Sequence, residues 1–397
     1  MTATAKASAI KSLTGNKAAA VGAALCKPDL IAAYPITPQS SVVETLASMI
    51  ADGEIDSKMV QVESEHSAMS VVQGAAMAGG RTFTATSAQG LALMFEPYFR
   101  QSTLRLPMVM ALATREMTSP ETVFSGQQDA MSVREAGWMQ VYCENNQEIL
   151  DMIIQGYKIS ENSNVLLPLN VCYDGFYLSH LDERVEIPDQ EDVTDFVKTF
   201  ELKHLALDPK NPMSVDPMTS GSLLMKFRES HLNAMQRAIN VIDDVDKEFE
   251  SVFGRSYGGV IDTYLCDDAE IILVTIGSPT GTAREAIDMA RETGIKVGLL
   301  KVRFMRPFPA DRIKEVLKNK KGFAVIDRSV SFGWNAGPLY VEVKSAAGEL
   351  CDKMSNFSAI GGLGGADITL QHVIDCIEKL NEISKEPLGK VDTIWLN

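Results

Sequence analysis

Along residues 15 to 175, apolar positions recur every three to four residues in some stretches and form short unbroken runs in others, which predicts helices interleaved with strands. "NKAAAVGAALCK" predicts a helix, "DLIAAYPI" a strand, "SVVETLASMIADG" a helix closed by Gly53, "MVQVES" a strand, and "EHSAMSVVQGAAMAGG" a helix of small residues ended by a glycine pair. "RTFTATS" and "PMVMALAT" then predict strands around the helix "GLALMFEPYFRQS", and the amphipathic "NQEILDMIIQGYKISEN" a long helix before the strand "LPLNVCYD". Strands spaced by helices of this length need right-handed crossovers. The fold class is therefore α/β, with a mainly parallel sheet covered on both faces.

The pattern changes after residue 180. "PDQEDVTDFVKTFELKHLALDPKNPMSVDPMTSG" is acidic, proline-rich and poorly periodic, and predicts a long surface excursion at about 180–220. "LMKFRESHLNAMQRAINVIDDVDKEFESVFG" resumes as helix. A second α/β unit follows in "AEIILVTIGS", "GTAREAIDMARETG", "KVGLLKVRFMRPFP", "ADRIKEVLKNKKG" and "FAVIDRSV", before a glycine-rich segment ending in "FSAIGGLGGADIT". Two domains result, residues 1–255 and residues 256–397, the second with a C-terminal tail, as the length of 397 residues also leads one to expect.

Charge narrows the functional classes. A formal net charge of −15 argues against general affinity for nucleic acid or anionic membranes. No run approaches the roughly 18 apolar residues of a membrane span, and the N-terminal "MTATAKASAIKSLTGNKAAA" lacks a secretory signal's apolar core. A soluble cytoplasmic protein is expected. The six cysteines lie far apart without a C-x-x-C or His/Cys spacing, so this chain is expected to hold neither zinc nor an iron–sulfur cluster.

Four short stretches could carry chemistry. In "AAYPITPQSS" two prolines stiffen the backbone around Thr37, which suits a ligand contact or simply a strand exit with Ser40 or Ser41 capping the next helix. "VESEHSA" places Glu65 at a strand-to-helix junction, where a carboxylate commonly serves the helix dipole. "TATSAQGLAL" fits a ligand-binding helix start and equally a plain cap. Arg115 in "ALATREMTSP" ends a buried strand, where ligands of parallel sheets bind; it suits a carboxylate clamp or an interdomain ion pair. The turns "IGSPTGTAREA" and "IGGLGGAD" lack the dinucleotide and P-loop fingerprints and read as packing turns. With no nucleophile elbow and no H-E-x-x-H, a stand-alone hydrolase is not expected.

In order along the chain, "GNKAAAVGAAL", "AAYPITPQS", "VESEHSAMSVVQGAAMAGGRTFTATSAQGLALM", "RLPMVMALATR", "GWMQVYCENNQEILDM", "YDGFYLSH" and "VRFMRPFP" resemble the α subunit of the 2-oxoacid:ferredoxin oxidoreductases, the pyruvate synthase group, from about residue 14 to about residue 370. The resemblance implies a thiamine diphosphate pyrimidine-binding domain followed by a transketolase C-terminal-like domain. It implies thiamine diphosphate shared with a β subunit that binds Mg²⁺, γ and δ-type partners and in some complexes an additional electron-transfer subunit, iron–sulfur clusters on those other subunits, and coenzyme A as co-substrate. The chain lacks the G-D-G diphosphate motif and cluster cysteines, in keeping with half an active site. By the same resemblance Glu65 bonds N1′ of the aminopyrimidine and shares a proton with it, while Thr37 and Arg115 hold the substrate carboxylate.

One segment departs from the pyruvate pattern. Where pyruvate enzymes carry an acid–histidine pair ahead of the aspartate aligned with Asp129, "REMTSPETVFSGQQDAM" has Gly126 and Gln127, with Glu116, Met117 and Phe124 close by. Either the loop change is harmless, or these residues reshape the pocket for a bulkier acid of the phenylglyoxylate kind. A non-catalytic α-like structural or regulatory subunit is opposed by Thr37, Glu65 and Arg115 occurring together. A stand-alone transketolase-type enzyme is opposed by the missing diphosphate motif.

Overall fold

Fifteen short runs form strands in the computed structural model, which describes residues 9–205, 207–385 and 391–397. Residues 1–8, part of the segment read for a secretory signal, residue 206 of the expected excursion, and residues 386–390 of the expected tail lie outside the described residues. The strands are β1 (Ala9–Thr14), β2 (Leu30–Ala33), β3 (Lys58–Gln61), β4 (Thr82–Thr86), β5 (Val109–Thr114), β6 (Met139–Tyr142), β7 (Leu169–Asp174) and β8 (Asp182–Ile187). They continue as β9 (Ile261–Tyr264), β10 (Ile271–Thr275), β11 (Val297–Val302), β12 (Phe304–Arg306), β13 (Gly322–Asp327), β14 (Ser355–Gly361) and β15 (Ile394–Leu396).

The first sheet runs β12-β6-β7-β5-β4-β2-β3 and is parallel except for β12, which lies antiparallel on β6. The second runs β15-β14-β13-β10-β11-β9, parallel except for its edge strand β9. Every residue of β5 and β7 is buried, as expected of strands covered on both faces. The alanine-rich helix Gly15–Leu25 packs closely on the helix Asn146–Ser160 because Gly22 leaves space; a Cβ there would stand 2.9 Å from the Leu150 carbonyl oxygen.

Several details differ from the sequence reading. "GLALMFEPYFRQS" is two helices, Ala88–Leu93 and Phe95–Thr103, interrupted at Met94. Pro97 explains the break, since it has no amide to bond back across it. Neither Ser40 nor Ser41 caps the helix Ser40–Ala51: Gln39 occupies the cap position, and Ser41 Oγ accepts a hydrogen bond from Asn16 Nδ2 at 2.8 Å. The first half of the expected excursion is regular, with β8 paired antiparallel to β1 and a helix at Gln190–Val197. The acidic alternation of "DERVEI" suits an edge ladder with little buried face, which hid it. Only the described residues of about 198–205 and 207–220 are irregular. The strand β6 and the helices Pro338–Ala347 and Leu370–Ile383 were not anticipated.

The two sheets are tied where the chain leaves β11 in the second and enters β12 in the first. Glu148, on the helix Asn146–Ser160, meets Lys301 Nζ at 2.8 Å and Arg303 Nε at 2.9 Å, with all three side chains buried. Burial alone would raise the Glu148 pKa; the two cations outweigh it and hold the group down to about 2. A depressed carboxyl stabilises fully above its ordinary pKa of 4.5, and that contribution is lost as pH falls through about 2. Glu148→Gln leaves the buried Arg303 without a carboxylate partner among the described residues and Lys301 with Glu144 alone, at 3.0 Å, and is expected to cost about 3–5 kcal/mol at neutral pH. Urea midpoints between pH 7 and pH 3 check this: the wild type should lose more stability on acidification than the variant, and parallel pH profiles would contradict the assignment.

Candidate active site

Parallel sheets bind ligands beyond the carboxyl ends of their strands, and the adjacent strands β5, β4, β2 and β3 present the four stretches singled out above at that end. Glu65 opens the helix Glu65–Met77 after β3, and Ser64 provides the cap by accepting from the Ser67 amide. The Glu65 carboxyl is therefore not needed as a cap. It is buried, no side chain among the described residues bonds it, and desolvation raises its pKa.

The turn after β4 comes to rest on this carboxyl. A Cβ at Gly90 would stand 2.6 Å from Glu65 Oε1 and 2.5 Å from Thr86 Oγ1, so only glycine lets the turn approach so closely. Thr86 Oγ1 and Gln89 Oε1, at the same turn, are buried without hydrogen-bond partners. A buried carboxyl and two orphaned acceptor oxygens clustered at one glycine fit the edge of a polar heteroaromatic ring such as an aminopyrimidine.

Arg115, after β5, is buried and meets Thr37 through the main chain. Its Nη1 donates to the Thr37 carbonyl oxygen at 2.8 Å, its Nε to the Thr122 carbonyl at 2.7 Å, and its Nη2 to Glu121 Oε1 at 2.8 Å. Thr37 itself is exposed. Asp129 fixes the two turns to each other, since its Oδ2 accepts from the amides of both Ala88 and Arg115, at 2.9 and 3.0 Å. Glu65, the 87–90 turn, Arg115 and Thr37 thus form one continuous edge.

The remaining pocket-shaping candidates separate. Glu116 is half-buried, with its Oε1 enclosed and unpartnered, and burial raises its pKa to about 7 against the opposing pull of Arg328. Gln127 is buried beneath it in the seam between the sheets, its amide donating to the Arg328 carbonyl at 3.0 Å. Met117 is half-buried, its amide bonded to Gln128 Oε1. Phe124 is half exposed at the rim and packs on Phe176, ring centres 5.0 Å apart.

The second sheet holds this loop in place. Arg328, just after β13, makes a 2.7 Å ion pair with Asp174 at the end of β7, donates to Ser125 Oγ, and reaches the Gly362 carbonyl at 3.1 Å. The turn "IGGLGGAD" receives the loop: the Gly365 amide bonds the Ser125 carbonyl at 2.9 Å, and a Cβ on Gly365 would stand 2.7 Å from Phe124 Cβ. Sequence reasoning passed over Glu121, Asp174 and Arg328. The strand-end rule that singled out Arg115 applies equally to Arg328 after "FAVID" and could have found it.

The architecture is that of a thiamine diphosphate enzyme's pyrimidine half joined to a transketolase-like second domain. A family model described as pyruvate flavodoxin/ferredoxin oxidoreductase, thiamine diphosphate-binding, matches residues 21–247, and one for pyruvate:ferredoxin oxidoreductase core domain II matches residues 269–373. The chain belongs to this oxidoreductase family. It is 47% identical to the NADH-dependent phenylglyoxylate dehydrogenase subunit alpha of Aromatoleum evansii, over 96% of this chain and 94% of that one. It is 46% identical to the pyruvate synthase subunit PorA of Methanocaldococcus jannaschii, over 98% and 97%. Among solved structures, the 2-oxoglutarate:ferredoxin oxidoreductase of Magnetococcus marinus shares the fold with a TM-score of 0.73 at 19% identity, covering 93% of this chain and 65% of that chain. A split-gene transketolase aligns at a TM-score of 0.53 and 12% identity, over 94% of this chain and 100% of that one.

Gly126 and Glu116 share one volume. A Cβ at Gly126 would stand 2.6 Å from the Glu116 carboxyl carbon and 2.7 Å from its Cγ, so any side chain at 126 must expel Glu116. Gly126→Ala is expected to cost about 1–3 kcal/mol through overpacking, and adding Glu116→Ala should recover most of it. A double-mutant cycle of thermal stability checks this, and simple additivity would show the two positions to be independent.

Proposed function

We propose that this chain is the α subunit of a multisubunit, CoA-acylating 2-oxoacid oxidoreductase that works with β, γ and δ-type partners in the cytoplasm, and that its domains divide near residue 255. No helix among the described residues is long and apolar enough to cross a membrane. The observation that carries the reading is the continuous edge from the buried Glu65, whose carboxyl no side chain among the described residues bonds, through Gly90 and Asp129, to Arg115 at the carboxyl ends of adjacent strands.

Thiamine diphosphate, when bound, supplies the carbon nucleophile and the electron sink for decarboxylation. Glu65, Gly90 and Gln89 are the residues of this chain that would hold its pyrimidine. Glu65 is suited to keep a proton at a ring nitrogen, because burial without a counter-charge favours its neutral form and makes proton sharing inexpensive. The diphosphate and Mg²⁺ belong to a partner subunit, as do the iron–sulfur clusters. Arg115, with Thr37 beside it, holds the carboxylate common to all 2-oxoacids through charge-assisted hydrogen bonds. Glu116, Met117, Phe124 and Gln127 bear on the substrate side chain, and 47% identity to a phenylglyoxylate enzyme subunit supports an aromatic acid alongside pyruvate.

Turnover by the purified complex, with coenzyme A and a dye acceptor, across pyruvate, 2-oxoglutarate, branched and aromatic acids tests the reading. Glu65→Gln is expected to lower kcat by at least about a hundredfold while the complex still assembles. Arg115→Ala should reduce kcat/KM by about ten- to a hundredfold for every accepted acid alike. Unchanged kcat in the first variant, or loss of only one substrate in the second, would reject these roles.

A further inference from the structure

In this structure the guanidinium of Arg115 already has an anion. Three of its donors are engaged by Thr37, Thr122 and Glu121, and the only carboxylate among these partners is that of Glu121, at 2.8 Å. The two members of the pair differ sharply in exposure: the Arg115 side chain is 5% exposed and that of Glu121 is 65% exposed. Glu121 therefore covers the arginine from the solvent side, the side from which a dissolved carboxylate has to arrive. The remaining holds on Glu121 are light, a 2.9 Å bond from the exposed Thr118 hydroxyl and a 3.4 Å contact from Gln89. The arginine's inner partners are two main-chain carbonyls, which do not compete for charge.

We infer that Glu121 is an internal stand-in for the substrate carboxylate, a displaceable anion that keeps Arg115 paired when no 2-oxoacid is present and must leave when one binds. The inference rests on the reading of Arg115 as the carboxylate clamp. A buried guanidinium with no counter-ion would be costly, and a counter-ion on an exposed side chain gives up little when displaced. The same exchange sets a threshold on affinity, because each substrate must replace an intramolecular partner at high effective concentration. It also leaves the negative charge of Glu121 on the loop beside the pocket once that side chain has swung away, which disfavours acids carrying a second carboxylate.

The test uses the assembled complex and oxamate, a carboxylate that resembles a 2-oxoacid without reacting, so that its inhibition constant reports binding rather than chemistry. Removing the charge in Glu121→Gln is expected to lower the oxamate inhibition constant by about two- to fivefold, the scale of a solvent-exposed ion pair. Glu121→Asp, which keeps the charge on a shorter arm, should stay near the wild-type value. An inhibition constant that is unchanged or raised in Glu121→Gln, while Arg115→Ala still weakens oxamate, overturns the stand-in role and leaves the clamp intact. Wild-type oxamate inhibition in Arg115→Ala would mean that the clamp itself is misassigned, and the inference falls with it.

Discussion

The geometry of the candidate site hangs on the buried guanidinium of Arg328. It belongs to the second sheet, yet its partners Asp174 and Ser125 belong to the first, and both they and Arg328 are almost wholly buried. A buried arginine is costly unless it is paired. Here Asp174, at the end of β7, pairs with Nη1, and Ser125, in the loop that follows Arg115, accepts from Nη2. Separating the two sheets would strand the cation, so the position of that loop is decided by the second domain. The two glycine-rich turns serve the same seam: Ser278, after Gly277, bonds Asp174, and Gly365 admits Phe124. Both turns let a neighbouring loop come close.

Three buried or half-buried glutamates show how one fold assigns different tasks to one side chain. All three pay for desolvation, which favours the neutral acid. Glu148 has two cations within hydrogen-bonding distance and is held ionised down to about pH 2, so it serves structure. Glu65 has no cation beside it among the described residues and is shifted upward, which suits it to carry a proton toward a ligand. Glu116 lies between these cases, raised to about 7 with Arg328 only partly opposing burial. Neighbours, rather than burial alone, decide the sign.

Much of this was legible in the sequence because the strongest signals are local. Continuous apolar runs such as "VMALAT" can only be strands covered on both faces, and their ends point to Glu65, Arg115 and Thr37. What escaped detection was long-range. β8 carries an acidic alternation that looks like a loop until β1 is placed beside it, and β12 leaves one sheet for the other within a few residues. By itself "AAYPITPQSS" left a ligand contact at Thr37 and a plain strand exit open, and the contact formed within the chain is through the Thr37 carbonyl. No periodicity could have revealed that Arg328 and Asp174, 154 residues apart, are partners.

The departure from the pyruvate pattern also acquires a physical meaning. By the resemblance alone, Gly126 and Gln127 stand where pyruvate enzymes carry a titratable pair, which implies the loss of an acid. In space, the carboxyl of Glu116 occupies the volume that a side chain at 126 would fill. The carboxyl that fills this place comes from a residue next to Arg115 in the chain. One volume cannot hold both side chains, so a side chain at 126 has to displace the Glu116 carboxyl, and the shape of the loop at this point depends on the two positions together.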